Sequence, residues 1–532
     1  MSKSRNVTIA PRSPVSLMSR RHALGLPIFA VVCGRSARRE MGVAVPAGSS
    51  EIVLPTRRAP LDPIAALARL DDELAIALDR SESLRLATLR DGPPRTSASW
   101  VESAAGLGDV FERAGPYAAI VLAAPALAEH HATARLWRRA RLAHALDSTP
   151  AIVRLLHAHA AASRSAEEET LATTRELFRE RNAQGHRLGL EWADAMWRLS
   201  GFDTFDWPAF DAFAAANMRG VIERRQEMQR ELRTRWGPRF NAGPVGIRMS
   251  DLFPFLPERA SADQLATSAI RTLGFGDAWD RIERVRLPHG SEGPFVVVIG
   301  ERVVSQAASE LGGPLPLLVH EVGHFLHARL RSSASRIGRS TQALPGVTCE
   351  WFNECVAETI ASLARDVGSL ERLFQIHGND ALEAAYREPY VLATRILDAR
   401  LDRRVIHFAL RNPDGDIDGF ARATWRTLTG LPTFARAPTG WADAGIAARP
   451  FHHIAHAVGH VVAADVAAAL RARHGAAWAS ATAFAPVRAA MFELGDDVPA
   501  DVRIERAIGR PWSYDTARSM VTAWERRYSL RR

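Results

Sequence analysis

The chain has 532 residues, 47% hydrophobic and 24% charged, an ordinary globular composition with enough apolar material for a large core. Its net charge of +9 is carried by arginine, since Lys3 is the one lysine among 68 basic residues, and these arginines alternate with acids instead of forming basic runs with aromatics, so nucleic-acid binding is not expected. No apolar stretch reaches the roughly 18 residues of a membrane span, and Cys33, Cys349 and Cys355 give no disulfide framework, which points to a reducing compartment.

Residues 1–58 are rich in Ser, Arg and Pro and read as a disordered extension or leader. Arg20-Arg21 followed by ALGLPIFAVVCG resembles the basic and apolar parts of an export signal. RSARRE follows directly, however, with no A-x-A cleavage site, so the expected location is cytoplasmic, with export as the alternative if 18–47 acts as a signal. Order is expected from near Pro55 as a continuous fold, with an N-terminal helical region over 59–290 and a second helical region over 291–532. Amphipathic helices are predicted at Ala65–Asp79, at 149–162, at 165–185, over 206–237 with Asp206 as N-cap and Pro208 in the first turn, and at 261–274 up to Gly274.

Strand signals come at Phe295–Ile299 and Arg302–Gln306, joined by Gly300-Glu301 as a hairpin. Its edge is a natural place for an extended peptide to add its backbone. Gly312, Gly313, Pro314 and Pro316 then lead into LPLLVHEVGHFLHARL, residues 315–330. His320-Glu321-Val322-Gly323-His324 is an HExxH pattern. On a helix His320 and His324 stack one turn apart and can offer two imidazole nitrogens to one ion, while Glu321 lies about 100° round and can reach a water on it. That chemistry suits zinc-assisted hydrolysis.

A third protein ligand is the norm for such a zinc. A metzincin would need histidine at position 330 and glycine at 327; these are Leu330 and His327, so that class is excluded and His327 reads as a supporting or core residue. Further on, CEWFNECVAET places Glu350, Glu354 and Glu358 at every fourth residue among apolar neighbours. Three carboxylates stacked in a buried helix repel one another unless a cation or imidazole neutralises them. Glu354 is the expected ligand, with Glu350 as competitor, and Glu358 is the expected acceptor of a ligating histidine's second N–H. Cys355 points away and reads as packing. Near the end, FHHIAHAVGHVVAADVAAAL over 451–470 is a helix with His453, His456 and His460 on one face.

HEVGHFLH followed by WFNECVAET resembles the glutamate-zincin peptidases, and within them thimet oligopeptidase and oligopeptidase F, the angiotensin-converting-enzyme family and carboxypeptidase Taq. The resemblance is good over 294–365 and weak over 180–515. It implies a mainly α fold of two helical halves around a deep cleft, a small β-hairpin or sheet beside the zinc-site helix, one zinc ion and short peptide substrates. Glu354 and Glu358 match the family's ligand glutamate and the residue four further on. The 30 positions from His324 to Glu354 exceed the family's spacing, which keeps Glu350 open. His453 and His456 match tyrosines that donate hydrogen bonds to the developing oxyanion. A packing face and a second metal site are the other readings of these histidines. The competing functions are a catalytically silent, metal-stabilised peptide- or partner-binding protein and a zinc hydrolase of a non-peptide amide.

Overall fold

Alanine, leucine and arginine, strong helix formers, set the local structure of most of the chain. The computed structural model describes residues 62–91, 97–162, 167–216, 223, 262–285, 295–306, 315–333, 335–339, 349–430, 441 and 444–531. Its main helices run over Pro63–Asp91, Ala98–Ala123, His131–Asp147, Pro150–Ala162, Glu167–Arg187, Trp192–Leu199, Trp207–Ala216 and Ala262–Thr272. Beyond the strands come Leu315–Leu330, Glu350–Ala361, Asn379–Arg411, Ile417–Thr429, His452–His474, Ala500–Ile508 and Asp515–Arg531. The leader at 1–58, the continuation of the Asp206 helix over 217–222 and 224–237, and the Gly312–Pro314 linker lie outside the described residues. Asp206 caps its helix, accepting from the Ala209 N–H at 2.9 Å, and Gly274 ends the helix before it with φ of 82°. One hydrophobic core runs from Leu67 in the first helix to Trp524 in the last.

Three strands accompany the helices. β1 (Ile282–Arg284) runs parallel to β3 (Arg302–Gln306), and β2 (Phe295–Ile299) is antiparallel to β3, with Val297 opposite Val304, in the order β1-β3-β2. The predicted hairpin is therefore present, and Gly300 supplies the φ of 56° that a two-residue turn with glycine first requires. β1 has three residues and no alternation, so no pattern in the chain marks it. The outer edge of β2 is partly taken. Glu82 of the first helix accepts from the Val298 N–H at 3.4 Å, and Asp79 accepts from the Gly300 N–H at 2.8 Å.

The sheet packs against the HExxH helix, Leu315–Leu330. That helix buries Leu318, Val319, Val322, Phe325 and Leu326, and it lies against the acidic helix Glu350–Ala361, which in turn lies against the histidine helix His452–His474. Two glycines set these approaches. A Cβ on Gly323 would stand 2.6 Å from Ala357 Cα, and one on Gly459 would stand 2.6 Å from the Cys355 nitrogen and 2.7 Å from Glu354 Cβ. Neither contact can be relieved by a side-chain rotation, because the neighbouring atoms are backbone or Cβ. Gly323→Ala is therefore expected to cost about 1–3 kcal/mol by overpacking and to lower the midpoint of thermal unfolding; an unchanged midpoint would show that the helices can part freely. Among the described residues one helical stretch, His452–Trp478, is long and apolar enough to cross a membrane, and most of it is buried inside the protein, as a core helix is.

Candidate metal centre

Close packing of the HExxH and acidic helices brings three donors from distant parts of the sequence together. His320 Nε2 and His324 Nε2 are 3.2 Å apart with their rings nearly perpendicular. Glu354 Oε2 lies 3.3 Å from the first and 3.5 Å from the second. A tetrahedral ion with bonds of about 2.0–2.1 Å holds its ligand atoms about 3.3–3.4 Å apart, so these three atoms form one face of such a cage. All three side chains are buried, and Glu354 Oε2 has no hydrogen-bond partner among the described residues. The donor set fits a divalent ion. Glu350, one turn earlier, belongs to none of the donor trios among the described residues; burial pushes its carboxyl up, with Arg449 opposing.

The charges agree with the geometry. Burial raises the Glu354 carboxyl, but His456 and His324 outweigh it and hold the group well below the usual range. Burial lowers His320, yet Glu358 and Glu354 push it up to about 10. The cluster thus retains a proton on an imidazole when no cation is present, and a bound metal would take that proton's place. Glu321, one residue round the helix, is raised by burial and by Glu354 and Glu358, against the pull of His320 and His324.

Behind the trio lies a buried ionic layer. Glu358 Oε1 is 3.0 Å from His320 Nδ1, while its Oε2 accepts from Arg365 at 2.6 Å and its Oε1 also accepts from Arg395. These two arginines overcome burial and keep the carboxyl well below its usual range. Arg365 also ion-pairs with Glu388, whose Oε1 is 2.6 Å from His460 Nε2. Sequence reasoning named Glu358 and placed His460 on the histidine face. It missed Arg365, Arg395 and Glu388, which only the tertiary fold gathers here.

The two histidines matched to tyrosines separate. His456 Nδ1 is 2.8 Å from Glu354 Oε2, whereas His453 Nδ1 is 3.6 Å from Asp402 on the long helix Asn379–Arg411. His452 was not foreseen; its ring lies edge-on to that of His456, centroids 4.6 Å apart. His452, His456 and His460 recur every fourth residue, a spacing that could have drawn notice to it. His327 is a core residue: its Nδ1 faces Asn353 Oδ1 at 3.1 Å, and Arg331 and Arg503 approach its Nε2 at 2.8 and 3.1 Å. Asp496 binds both arginines, so this cluster ties the HExxH helix to the helix Ala500–Ile508. Cys355 is fully buried, as packing requires. Asp465 accepts from Arg510, the Ser513 N–H and Thr516, which anchors the C-terminal helix.

Helical content, the small sheet and the inward-facing His-His-Glu trio define a gluzincin peptidase-like fold. The chain is similar in structure to BsuCP, with a TM-score of 0.59 and 12% identity over 88% of this chain and 99% of that one. It is similar to PZ peptidase A, solved with an inhibitor, with a TM-score of 0.55 and 11% identity over 87% and 97%. It is also similar to Trypanosoma cruzi metallocarboxypeptidase 1, with a TM-score of 0.51 and 15% identity over 87% and 99%. No family model matches the sequence, and no curated protein matches it.

Proposed function

We propose that this protein is a zinc-dependent metallopeptidase acting on short peptides. The observation that carries this reading is the triangle of His320, His324 and Glu354, with 3.2–3.5 Å edges and Glu321 on the same helix. The peptidase and metallocarboxypeptidase with which the chain shares its fold support peptides as the substrate class. A zinc ion held by the trio would supply Lewis acidity toward the scissile carbonyl and the attacking water. Glu321 takes the proton of that water and delivers it to the leaving amine, and the raised affinity of its carboxyl for protons suits both halves of the task. Glu358, fixed by two arginines, holds the His320 ring so that Nε2 faces the ion. His456, beside Glu354, donates a hydrogen bond to the carbonyl oxygen as negative charge develops there. His453, facing Asp402, is left a minor part.

Metal analysis together with a quenched-peptide library tests the reading. Zinc bound at one equivalent with cleavage of short peptides supports it, and zinc without cleavage favours a silent binding protein. His456→Phe is expected to keep the metal and to lose turnover by on the order of 10²–10³, as loss of one oxyanion donor does; an unchanged rate removes His456 from the chemistry.

A further inference from the structure

The Glu354 carboxylate is the meeting point of two groups of donors. One is the trio with His320 and His324. The other joins Glu354 to His452 and His456, whose ligand atoms all lie within 4.8 Å of one another. His452 and His456 are one turn apart on the histidine helix, the same spacing by which His320 and His324 offer two imidazoles to one ion. His456 Nδ1 and Glu354 Oε2 are 2.8 Å apart, and both atoms are buried. Two ligand atoms held this close, with the His452 ring beside them, are placed to face a common cation.

His456 is not positioned to close the first cage. Among the described residues it joins His320 and Glu358 in one trio and His452 and Glu354 in another, but no trio unites it with His324. Its side chain is also 22% exposed, against 4% for Glu354 and for His320, so it is reached from the solvent side of the carboxylate. We infer that His452, His456 and Glu354 form a second site for a borderline divalent cation such as zinc, beside the first and sharing its carboxylate. The inference rests on the metallopeptidase reading in one respect: sharing the Glu354 carboxylate with a second ion weakens it as a ligand of the first, so excess zinc inhibits the enzyme.

Equilibrium dialysis of the tag-free full chain against zinc, followed by metal analysis, reads the site directly. Wild type is expected to take up a first equivalent and then a weaker second one, with peptide cleavage falling as the second binds. His452→Phe is expected to stop at one equivalent and to remain active in zinc excess. His452→Asn repeats the measurement should the larger ring disturb folding, and the retained first equivalent reports that the fold is intact. A wild type that stops at one equivalent, or a His452→Phe chain that still takes two, overturns the second site. Failure of the underlying reading looks different: zinc then binds without any cleavage to inhibit, or does not bind at all when His320 is intact.

Discussion

Glu321→Gln is expected to bind zinc as the wild type does and to cleave peptides more slowly by on the order of 10²–10⁴. Glutamine keeps the size of the side chain and its place on the HExxH helix, so the helix and both imidazoles stay where they are. What it loses is the ability to accept a proton from water and return it to nitrogen. Because His320 and His324 are untouched, metal content measured on the same sample separates loss of chemistry from loss of structure. An undiminished rate would take Glu321 out of the reaction. Zinc held by both proteins, with cleavage by neither, would point instead to a chain that keeps the site only to stabilise a binding surface.

The second large effect concerns the ligand set. Glu354→Ala is expected to lose zinc on dialysis, whereas Glu350→Ala retains it. The trio needs the oxygen that stands 3.3 and 3.5 Å from the two imidazole nitrogens, and no donor trio among the described residues includes Glu350. Thermal stability reports the same difference. At free zinc a hundredfold above the dissociation constant, a protein that binds only when folded gains about 2.7 kcal/mol. The wild type and Glu350→Ala should show the corresponding rise in midpoint on adding zinc, and Glu354→Ala almost none. The reverse pattern would move the ligand role one turn back along the acidic helix.

Much of this centre could be read from the sequence because its information is local. Helical periodicity stacks His320 over His324, and the same periodicity places Glu350, Glu354 and Glu358 on one face. Burial of like charges then demands a neutralising partner. The hairpin was legible from two short β-branched runs around Gly300. Three things escaped. The three-residue β1 has no alternation to detect. Arg365, Arg395 and Glu388 reach Glu358 and His460 across tertiary contacts that leave no periodic trace. His452 lies outside the tyrosine match at 453 and 456, and only its spacing with 456 and 460, one helical turn each, marks it in the chain. The structure also divides the two matched histidines, one at Glu354 and one at Asp402, a distinction that depends on where the long helix Asn379–Arg411 packs.

The grip of the first helix on β2 sets a limit on how a bound chain could lie. In this hairpin the amides of Val296 and Val298 point away from β3, and the Val298 amide is already spoken for by Glu82, with Asp79 closing off Gly300 beyond it. A peptide laid along this margin would meet the Glu82 and Asp79 carboxylates at Val298 and Gly300. An incoming backbone would have to displace these carboxylates to advance toward the turn.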